Sequence, residues 1–371
     1  MRAGASNFQA EELAAWINFA HHHQVKVYAA VNIFPHNRHL GQVPSLLHYL
    51  EKAGVDAFII SDPGILEIAK ENASSVPIHL STQANVTNWR NVKFWHQQGC
   101  ARINLARELH LEEIQEIKDQ VPGIELETFV HGAMCMAYSG RCMLSAYFTE
   151  RGANLGDCTQ PCRWKYYLVE EYRPHEPLPI EEHDKGSKIL SSRDLCMIEN
   201  LSDLMGAGIK GFKIEGRMKT IHYVATVTKA YKEALKRCQD NPQSYHCDPQ
   251  WIEELQKVSH RPYSTGFFYG NPLQADPGEE FSYYKQCKLA GLVLDYQPNN
   301  KMALVEQRNL LEVGDSLEVL SPYRDSFTIK VEQLFDEDGN KINRAPHPQQ
   351  KVLIPVNSTF RPYELLRKYE Q

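Results

Sequence analysis

Apolar residues along the first 240 positions follow two alternating patterns. Short runs that are rich in β-branched and aromatic residues recur every ~20 to 30 residues, and longer segments with apolar residues near the helical period lie between them. The short runs are 26–33, 56–62, 77–83, 101–107 and 124–132, and the longer segments are 11–24, 43–53, 64–71, 89–98 and 111–120. This rhythm is typical of repeated βα units, so it predicts an α/β fold with a parallel sheet, either open or closed as a TIM-like (β/α) barrel.

The rhythm breaks in the middle of the chain and changes again near its end. The segment that follows the run at 124–132 is rich in Cys, Gly, Pro and charged residues, which predicts a loop-rich insertion after a strand. A strand at 211–216 and a helix from Thr220 to about Cys238 follow, and short alternating runs begin near Lys285. We therefore expect a barrel domain over 1–240 with a cysteine-rich insertion over 133–187, a connector over 241–284 and a C-terminal β-barrel domain over 285–371.

Composition and charge narrow the possible functions. The chain has 371 residues and a hydrophobic share of 42%, which fits a soluble globular protein. Its net charge of −6 argues against a globally basic nucleic-acid coat and leaves room for a local basic groove. The sequence contains neither a membrane span of roughly 20 apolar residues nor a signal-peptide pattern at its N-terminus. We therefore expect a cytoplasmic protein without a membrane partner.

The cysteines are unevenly distributed. Five of the nine lie between Cys135 and Cys196, which suits metal ligation better than a disulfide framework. Cys135, Cys142, Cys158 and Cys162 follow one another at intervals of seven, sixteen and four residues, with glycines nearby. Four thiolates from one loop-rich segment can surround a 4Fe-4S cluster or a tetrahedral zinc ion. The spacing is not that of a zinc ribbon with paired CxxC motifs, which favours iron and sulfur.

The alternative for these four residues is that they are buried and inert, since free cysteine is among the most buried residue types. Cys196 is a candidate substitute ligand, although its apolar flanks equally suit the start of a core helix. Cys100, Cys238, Cys247 and Cys287 are isolated in the sequence, and we assign them no role.

One segment carries a family resemblance. Residues 127–145, which read ETFVHGAMCMAYSGRCMLS, resemble the signature of peptidase family U32 position by position. Further positions resemble the branch of that family that is implicated in tRNA hydroxylation. They are 147–149, 154, 156–158, 161–166 and 214–219. The resemblance extends from Arg2 through the C-terminal β region.

The resemblance implies oxygen-independent hydroxylation of the wobble uridine of tRNA to 5-hydroxyuridine, with prephenate or a similar small carboxylate as the oxygen source. It also implies a 4Fe-4S cluster, because related members of the ubiquinone pathway carry one. By motif, Cys135, Cys142 and Cys158 match the cluster ligands of those relatives, and Cys162 matches the fourth position less closely. The implied partners are tRNA and the small carboxylate.

Other members of the family are labelled collagenase-like peptidases, so peptide cleavage is the alternative function. A peptidase needs an activated nucleophile or a metal-bound water. The sequence contains neither HExxH nor GxSxG, and Cys135 with His131 is a weak candidate pair because both lie in one glycine-containing loop. Hydroxylation without O₂ needs a redox centre, which a thiolate-bound cluster provides. The cysteines therefore favour the hydroxylase.

Polar residues gather at the ends of the predicted strands, where α/β barrels place their chemistry. These residues are Asn32, Asp62, Ser81, Thr82, Gln83, Asn85, Arg107, His131, Glu215 and Arg217. The candidate catalytic residues are Asn32, Gln83, His131, Lys213, Glu215 and Arg217, and the candidate substrate-binding residues are Asn85, Arg107, Arg217 and Lys219.

Several candidates have an expected role, and several have a structural alternative. Arg107 and Arg217 suit the carboxylates of prephenate, Gln83 and Asn85 suit the uracil edge, and the lysines suit phosphate. In the alternative, Glu215 and Arg217 pair with each other or with neighbours, and the Asn and Asp residues cap the following helices.

The start of the chain departs from the family pattern. Family members usually have an additional strand, helix and strand before the segment that resembles residues 2–8. We therefore expect an open, gapped barrel that lacks two strands, unless the barrel is completed in another way. A start site that is set too late, or a fragment, would explain the difference.

Overall fold

The structure is a computed structural model, and it describes residues 10–135, 137–164, 168–170, 173–178, 193–270 and 284–370. Parts of the expected insertion and of the connector, and the whole N-terminal segment 2–8, lie outside the described residues. The chain divides into two compact units. Unit 1 comprises Met1–Arg217 and Pro262–Phe281, and unit 2 comprises Met218–Arg261 and Ser282–Gln371.

Helices and strands alternate through the first part of unit 1. They are α1 (Ala10–His22), β1 (Tyr28–Val31), α2 (Asn37–Leu40), α3 (Val43–Ala53), β2 (Ala57–Ile60), α4 (Pro63–Asn72), β3 (Ile78–Leu80), α5 (Trp89–Gln97), β4 (Cys100–Asn104), α6 (Leu111–Gln120) and β5 (Glu125–Ala133). The rest of unit 1 contains α7 (Leu144–Thr149), β6 (Leu168–Glu170), β7 (Arg173–Leu178), β8 (Asp194–Cys196), α8 (Leu201–Gly206), β9 (Ile209–Ile214) and β10 (Tyr263–Ser264). Short 3₁₀ helices include Thr82–Ala84 and Pro161–Arg163.

The main sheet of unit 1 joins parallel strands in the order β1-β2-β3-β4-β5-β9. Strand β8 pairs antiparallel with the C-terminal end of β5, and β10 pairs parallel with β8. The first five strands are neighbours in sequence order, as successive βα units require. The predicted α/β class with a parallel sheet is confirmed. A TIM-like closure is not confirmed, because the strands in the described part of the chain pair as an open series from β1 to β10.

Burial and capping explain why these elements form. The strands bury Phe58, Ile60, Leu80 and Ile103, and each such side chain stabilises the fold by roughly 1.5–3 kcal/mol. Helix α4 begins where Asp62 Oδ1 accepts a hydrogen bond from the amide of Ile65 at 3.0 Å. Asp62, at the end of a predicted strand, is therefore a helix cap.

Unit 2 combines two helices with a set of short strands. They are α9 (Ile221–Asp240), α10 (Pro249–Gln256), β11 (Cys287–Gln297), β12 (Met302–Gln307), β13 (Leu311–Glu312), β14 (Ser316–Leu320), β15 (Phe327–Lys330), β16 (Leu334–Phe335), β17 (Lys341–Ile342), β18 (Arg344–Ala345), β19 (Lys351–Pro355) and β20 (Leu365–Tyr369). Eight strands form a curled antiparallel sheet in the order β15-β14-β20-β11-β12-β19-β16-β17. The β structure expected over 285–371 is present as this curled sheet, and its closure as a barrel stays a prediction.

The helix expected over 220–238 is α9, and the structure groups it with the C-terminal sheet rather than with the parallel sheet. A buried ion network links elements of unit 2. The guanidinium of Arg367 on β20 lies 2.7 Å from Glu254 on α10 and 3.0 Å from Glu318 on β14, and it contacts Thr226 on α9 at 3.5 Å. These contacts lie beyond the reach of a local sequence pattern.

No helix in the described ranges combines the length and the apolarity that crossing a membrane requires.

Candidate functional site at the carboxyl edge of the parallel sheet

Three predicted site residues meet where β5 and β9 end. The amide of Glu215 donates to the carbonyl of His131 at 2.9 Å. Gly132 makes this approach possible, because a Cβ at that position would lie 2.5 Å from the Glu215 carbonyl oxygen. Gly132 also has a φ of +110°, a backbone conformation that favours glycine. Close packing therefore requires the glycine at position 132, near the end of β5.

Arg107, which follows β4, reaches the same place. Its Nη1 donates to the carbonyl oxygen of Ala133 at 2.8 Å, and its Nη2 lies 3.8 Å from Glu215 Oε2. The guanidinium also stacks 3.8 Å from the ring centroid of Phe129. The other carboxylate oxygen of Glu215 accepts the backbone amide of Arg217 at 3.2 Å. The structure thus brings together Arg107, His131 and Glu215, with the backbone of Arg217.

A second group of predicted residues consists of amide side chains at the ends of β1 and β3. Asn32 Nδ2 donates to Ser81 Oγ at 3.0 Å, and Asn85 Nδ2 donates to the carbonyl of Gln83 at 3.0 Å. Asn85 has a φ of 53°, which asparagine tolerates better than most residues. The side-chain oxygens of Asn32, Gln83 and Asn85 are buried without a hydrogen-bond partner in the described structure. Such unsatisfied acceptors are costly and suit a ligand that donates N–H groups.

The cysteine-bearing loop after β5 covers this amide group. Asn85 Nδ2 also donates to the carbonyl of Ser139 at 3.3 Å. A Cβ at Gly140 would lie 3.1 Å from Gln83 Nε2 and 3.0 Å from the ring of Phe34, so the loop packs directly on these side chains. The segment that holds Cys135 and Cys142 is therefore adjacent to the amide group.

Lys213 lies within the sheet rather than at its edge. Its Nζ donates to Glu127 Oε1 at 3.0 Å, and Glu127 also accepts from Asn104 at 2.8 Å and contacts Arg102 at 3.4 Å. Burial favours the protonated form of Glu127, but Lys213 and Arg102 outweigh it and hold the pKa of this carboxyl below its usual value. The neighbouring His79 is mostly buried, which lowers its pKa to about 4. The strand patterns of CARIN and ELETF gave no signal for this ion network.

Lys219 belongs to unit 2, where its Nζ donates to the carbonyl of Ser259 at 3.0 Å and lies 4.7 Å from the ring centroid of Tyr223. The basic group expected over 213–219 is therefore divided between the two units.

The four predicted cluster ligands are exposed or half-buried, and Cys196 and Cys247 are half-buried as well. Cys135 and Cys158 are exposed and Cys142 and Cys162 are half-buried, whereas Cys100, Cys238 and Cys287 are buried. Burial raises the pKa values of Cys100 and Cys287 to about 11, so these thiols stay protonated and unreactive. The alternative that the four residues are buried and inert does not describe them.

The surroundings of the exposed thiols fit a thiolate-bound group. The amide of Gln160 donates to Cys158 Sγ at 3.3 Å, the kind of contact that tunes the potential of a cluster. The buried hydroxyl of Ser145 accepts from the amide of Thr159 at 3.0 Å, which ties the helix after Cys142 to the turn that holds Cys158. Within the described residues, His, Cys, Asp and Glu side chains form no assembled group of three or more that could hold a metal. The ligand set therefore stays a prediction.

Cys196 has a different setting, since it lies on β8 opposite His131 in the β5–β8 ladder. His131 itself is buried, with its ring centroid 5.3 Å from that of Tyr263.

Comparison with known protein families shows which family the chain belongs to. Residues 1–277 match the family model described as peptidase family U32, and residues 285–367 match that of the peptidase family U32 C-terminal domain. The chain belongs to peptidase family U32.

Curated relatives within family U32 carry two kinds of name. tRNA hydroxylation protein P1 of Bacillus subtilis (strain 168) is 38% identical over 369 residues, which cover 99% of this chain and 87% of the relative. tRNA hydroxylation protein P of Escherichia coli (strain K12) is 35% identical over an alignment that covers 96% of this chain and 86% of the relative. A collagenase of Porphyromonas gingivalis (strain ATCC BAA-308 / W83) is 30% identical over 100% of this chain and 90% of its own length.

Proposed function

We propose that this U32 protein is a cytoplasmic enzyme that hydroxylates the wobble uridine of tRNA to 5-hydroxyuridine. The observation that carries the proposal is the similarity to tRNA hydroxylation protein P1, 38% identity over 99% of the chain. The accessible cysteine segment supports it, because the reaction requires a redox centre if O₂ does not take part.

Cys135, Cys142, Cys158 and Cys162 would hold a 4Fe-4S cluster, with Cys196 as a substitute ligand. When bound, the cluster would supply electron transfer and would be tuned by amide donors such as that of Gln160. The net reaction replaces the C5–H bond of uridine by a C5–OH bond, which is a two-electron oxidation. The oxygen donor must therefore accept two electrons as it gives up its oxygen atom.

The carboxyl edge of the sheet offers complementary places for the two substrates. Arg107 is held over Phe129 and beside Glu215, where its guanidinium could bind the carboxylate of prephenate or a similar donor. The buried amide oxygens of Asn32 and Gln83 could accept the N3–H of uracil. His131 and Glu215, which lie together at the ends of β5 and β9, are the candidates for holding or moving the proton that leaves C5. Arg217, whose backbone amide donates to Glu215, is a further candidate there, whereas Lys213 is held by Glu127 within the sheet. Asn85 and Lys219 are candidates for contacts with the RNA.

The experiment is complementation of a bacterial strain that lacks its own tRNA hydroxylation protein, followed by mass spectrometry of the tRNA nucleosides. The wild-type chain should restore a uridine that is heavier by one oxygen atom. Cys142→Ser should abolish it, whereas Cys247→Ser, outside the cysteine segment, should not. Absence of the oxidised nucleoside with a folded, expressed wild-type chain would reject the proposal.

The second candidate is a peptidase, favoured by the full-length similarity to the collagenase of Porphyromonas gingivalis. It predicts cleavage of denatured collagen that persists after the metal is removed by a chelator. The hydroxylase predicts no cleavage by either form.

A further inference from the structure

Three aromatic side chains of the cysteine segment are exposed and lie side by side. Tyr147 is 82% exposed, Phe148 47% and Trp164 42%. The ring centroids of Tyr147 and Phe148 are 5.2 Å apart, and those of Phe148 and Trp164 are 6.2 Å apart. We name these three residues the aromatic cluster. Contiguous exposed apolar surface of this kind usually marks a binding site.

The cluster is attached firmly to the candidate site. Tyr147 and Phe148 lie on α7, which begins two residues after Cys142, and Trp164 lies two residues after Cys162. Helix α7 is anchored on its buried side. Ser145 is fully buried there, and its hydroxyl accepts a hydrogen bond from the amide of Thr159 at 3.0 Å. Two of the rings are therefore presented on an anchored helix and the third follows the short 3₁₀ helix Pro161–Arg163, and each group lies close in sequence to one predicted cluster ligand.

The residues near the aromatic cluster indicate which kind of partner it binds. The exposed side chains are aromatic rather than aliphatic. Arg141 and Arg151, which precede Tyr147 by six residues and follow it by four, are also exposed, with Arg141 over the ring of Phe34 and Arg151 paired with Asp157. Residues 137–165 contain four basic and two acidic residues, in a chain whose net charge is −6. Aromatic rings accompanied by arginine bind unpaired nucleobases by stacking, whereas a second copy of the chain that docked through the same segment would place its own basic residues against these.

We propose that the aromatic cluster is a stacking platform for unpaired bases of the RNA, and that it holds the anticodon-loop bases next to the uridine that is oxidised. The inference rests on the proposed function, and it assigns substrate positioning to residues that lie outside the carboxyl edge of the sheet. Tyr147 is the most exposed of the three residues. Loss of one stacked base contact should weaken RNA binding about tenfold.

The test is fluorescence anisotropy of a labelled anticodon stem–loop RNA with the full chain, purified anaerobically. Tyr147→Ala and Trp164→Ala should each bind about tenfold more weakly than the wild type, while Tyr147→Phe, which keeps the ring, should bind normally. Phe94→Ala removes an equally exposed ring of α5 outside the segment and should have no effect. A fully paired RNA of the same length should bind with no difference between variants.

The outcomes separate the two proposals. If the wild type binds the stem–loop and Tyr147→Ala and Trp164→Ala bind equally well, the stacking platform is wrong and the proposed function stands. If the wild type does not bind the stem–loop, the proposed function fails as well. If sedimentation shows a wild-type dimer that Tyr147→Ala dissociates, the cluster is an interface between copies of the chain, and the platform is rejected.

Discussion

Gly132 and Glu215 lie so close together that a Cβ carbon at position 132 would be 2.5 Å from the carbonyl oxygen of Glu215. This contact sets the end of β5 against the end of β9, and it places the Glu215 carboxylate 3.8 Å from Arg107. The geometry of the candidate site therefore depends on one position without a side chain.

Gly132→Ala should destabilise unit 1 and abolish tRNA hydroxylation. The added methyl group meets backbone atoms that cannot move freely, and alanine is strained at a φ of +110°. We expect a loss of about 2 kcal/mol or more in the free energy of unfolding, measured by chemical denaturation. Gly206→Ala is the matched control, since a Cβ there has no neighbour within 4 Å. Equal stabilities of the two variants would contradict this packing.

Arg107→Lys should weaken the use of the carboxylate donor without disturbing the fold. Lysine keeps the charge but lacks the planar fork that lets arginine hold the Ala133 carbonyl and a substrate carboxylate together. We expect KM for the donor to rise about tenfold, a loss of about 1.4 kcal/mol, with an unchanged visible spectrum. Arg90→Lys, on the exposed face of α5, should leave KM unchanged. An unaltered KM in Arg107→Lys would remove Arg107 from donor binding.

The sheet could be predicted from sequence because its signals are local. The run at 124–132 predicted β5, observed at Glu125–Ala133, and the helical period over 111–120 predicted α6 at the same residues. The antiparallel pairing of β8 with β5 could not be predicted, because about sixty residues without a clear pattern separate the two strands. Strand β8 also places Cys196 opposite His131, which no spacing rule suggests.

The candidate site was predictable in its residue types but not in its partners. Arg107, His131 and Glu215 stand at strand ends in the sequence, and the structure brings them together. Lys213 has the same kind of position, yet Glu127 binds it within the sheet, since ion pairs between distant strands leave no periodic trace. The role in tRNA chemistry came from family resemblance, because residue spacing does not specify a substrate.

His222 should make unit 2 less stable in acid. Burial, assisted by the positive charge of Arg367, lowers the pKa of His222 to about 4, below its ordinary value of 6.5. Between about pH 6.5 and about pH 4, His222 binds a proton in the unfolded chain but not in the folded chain. The stability of unit 2 therefore falls as the pH falls. His222→Leu should flatten this dependence in denaturation experiments. The same slope in variant and wild type would show that His222 does not carry it.

Arg367→Met should lower the free energy of unfolding of unit 2 more than a substitution in an exposed ion pair. Arg367 is fully buried between Glu254 and Glu318. In its absence, Lys257 is the one cation of this network that still pairs with the two carboxylates. We expect a loss of about 3–5 kcal/mol in chemical denaturation. Lys285→Met, which breaks an exposed pair with Glu370, should change the free energy of unfolding far less. Similar losses for both variants would contradict the importance of the buried network.

Whether the cysteine segment holds an iron–sulfur cluster is tested most directly by iron and sulfide analysis of the anaerobically purified chain. We predict about four irons and about four sulfides per chain, lost in Cys142→Ser and Cys158→Ser and retained in Cys247→Ser. A wild-type chain that contains zinc or no metal, or a Cys142→Ser variant with full iron content, would contradict cluster-dependent hydroxylation.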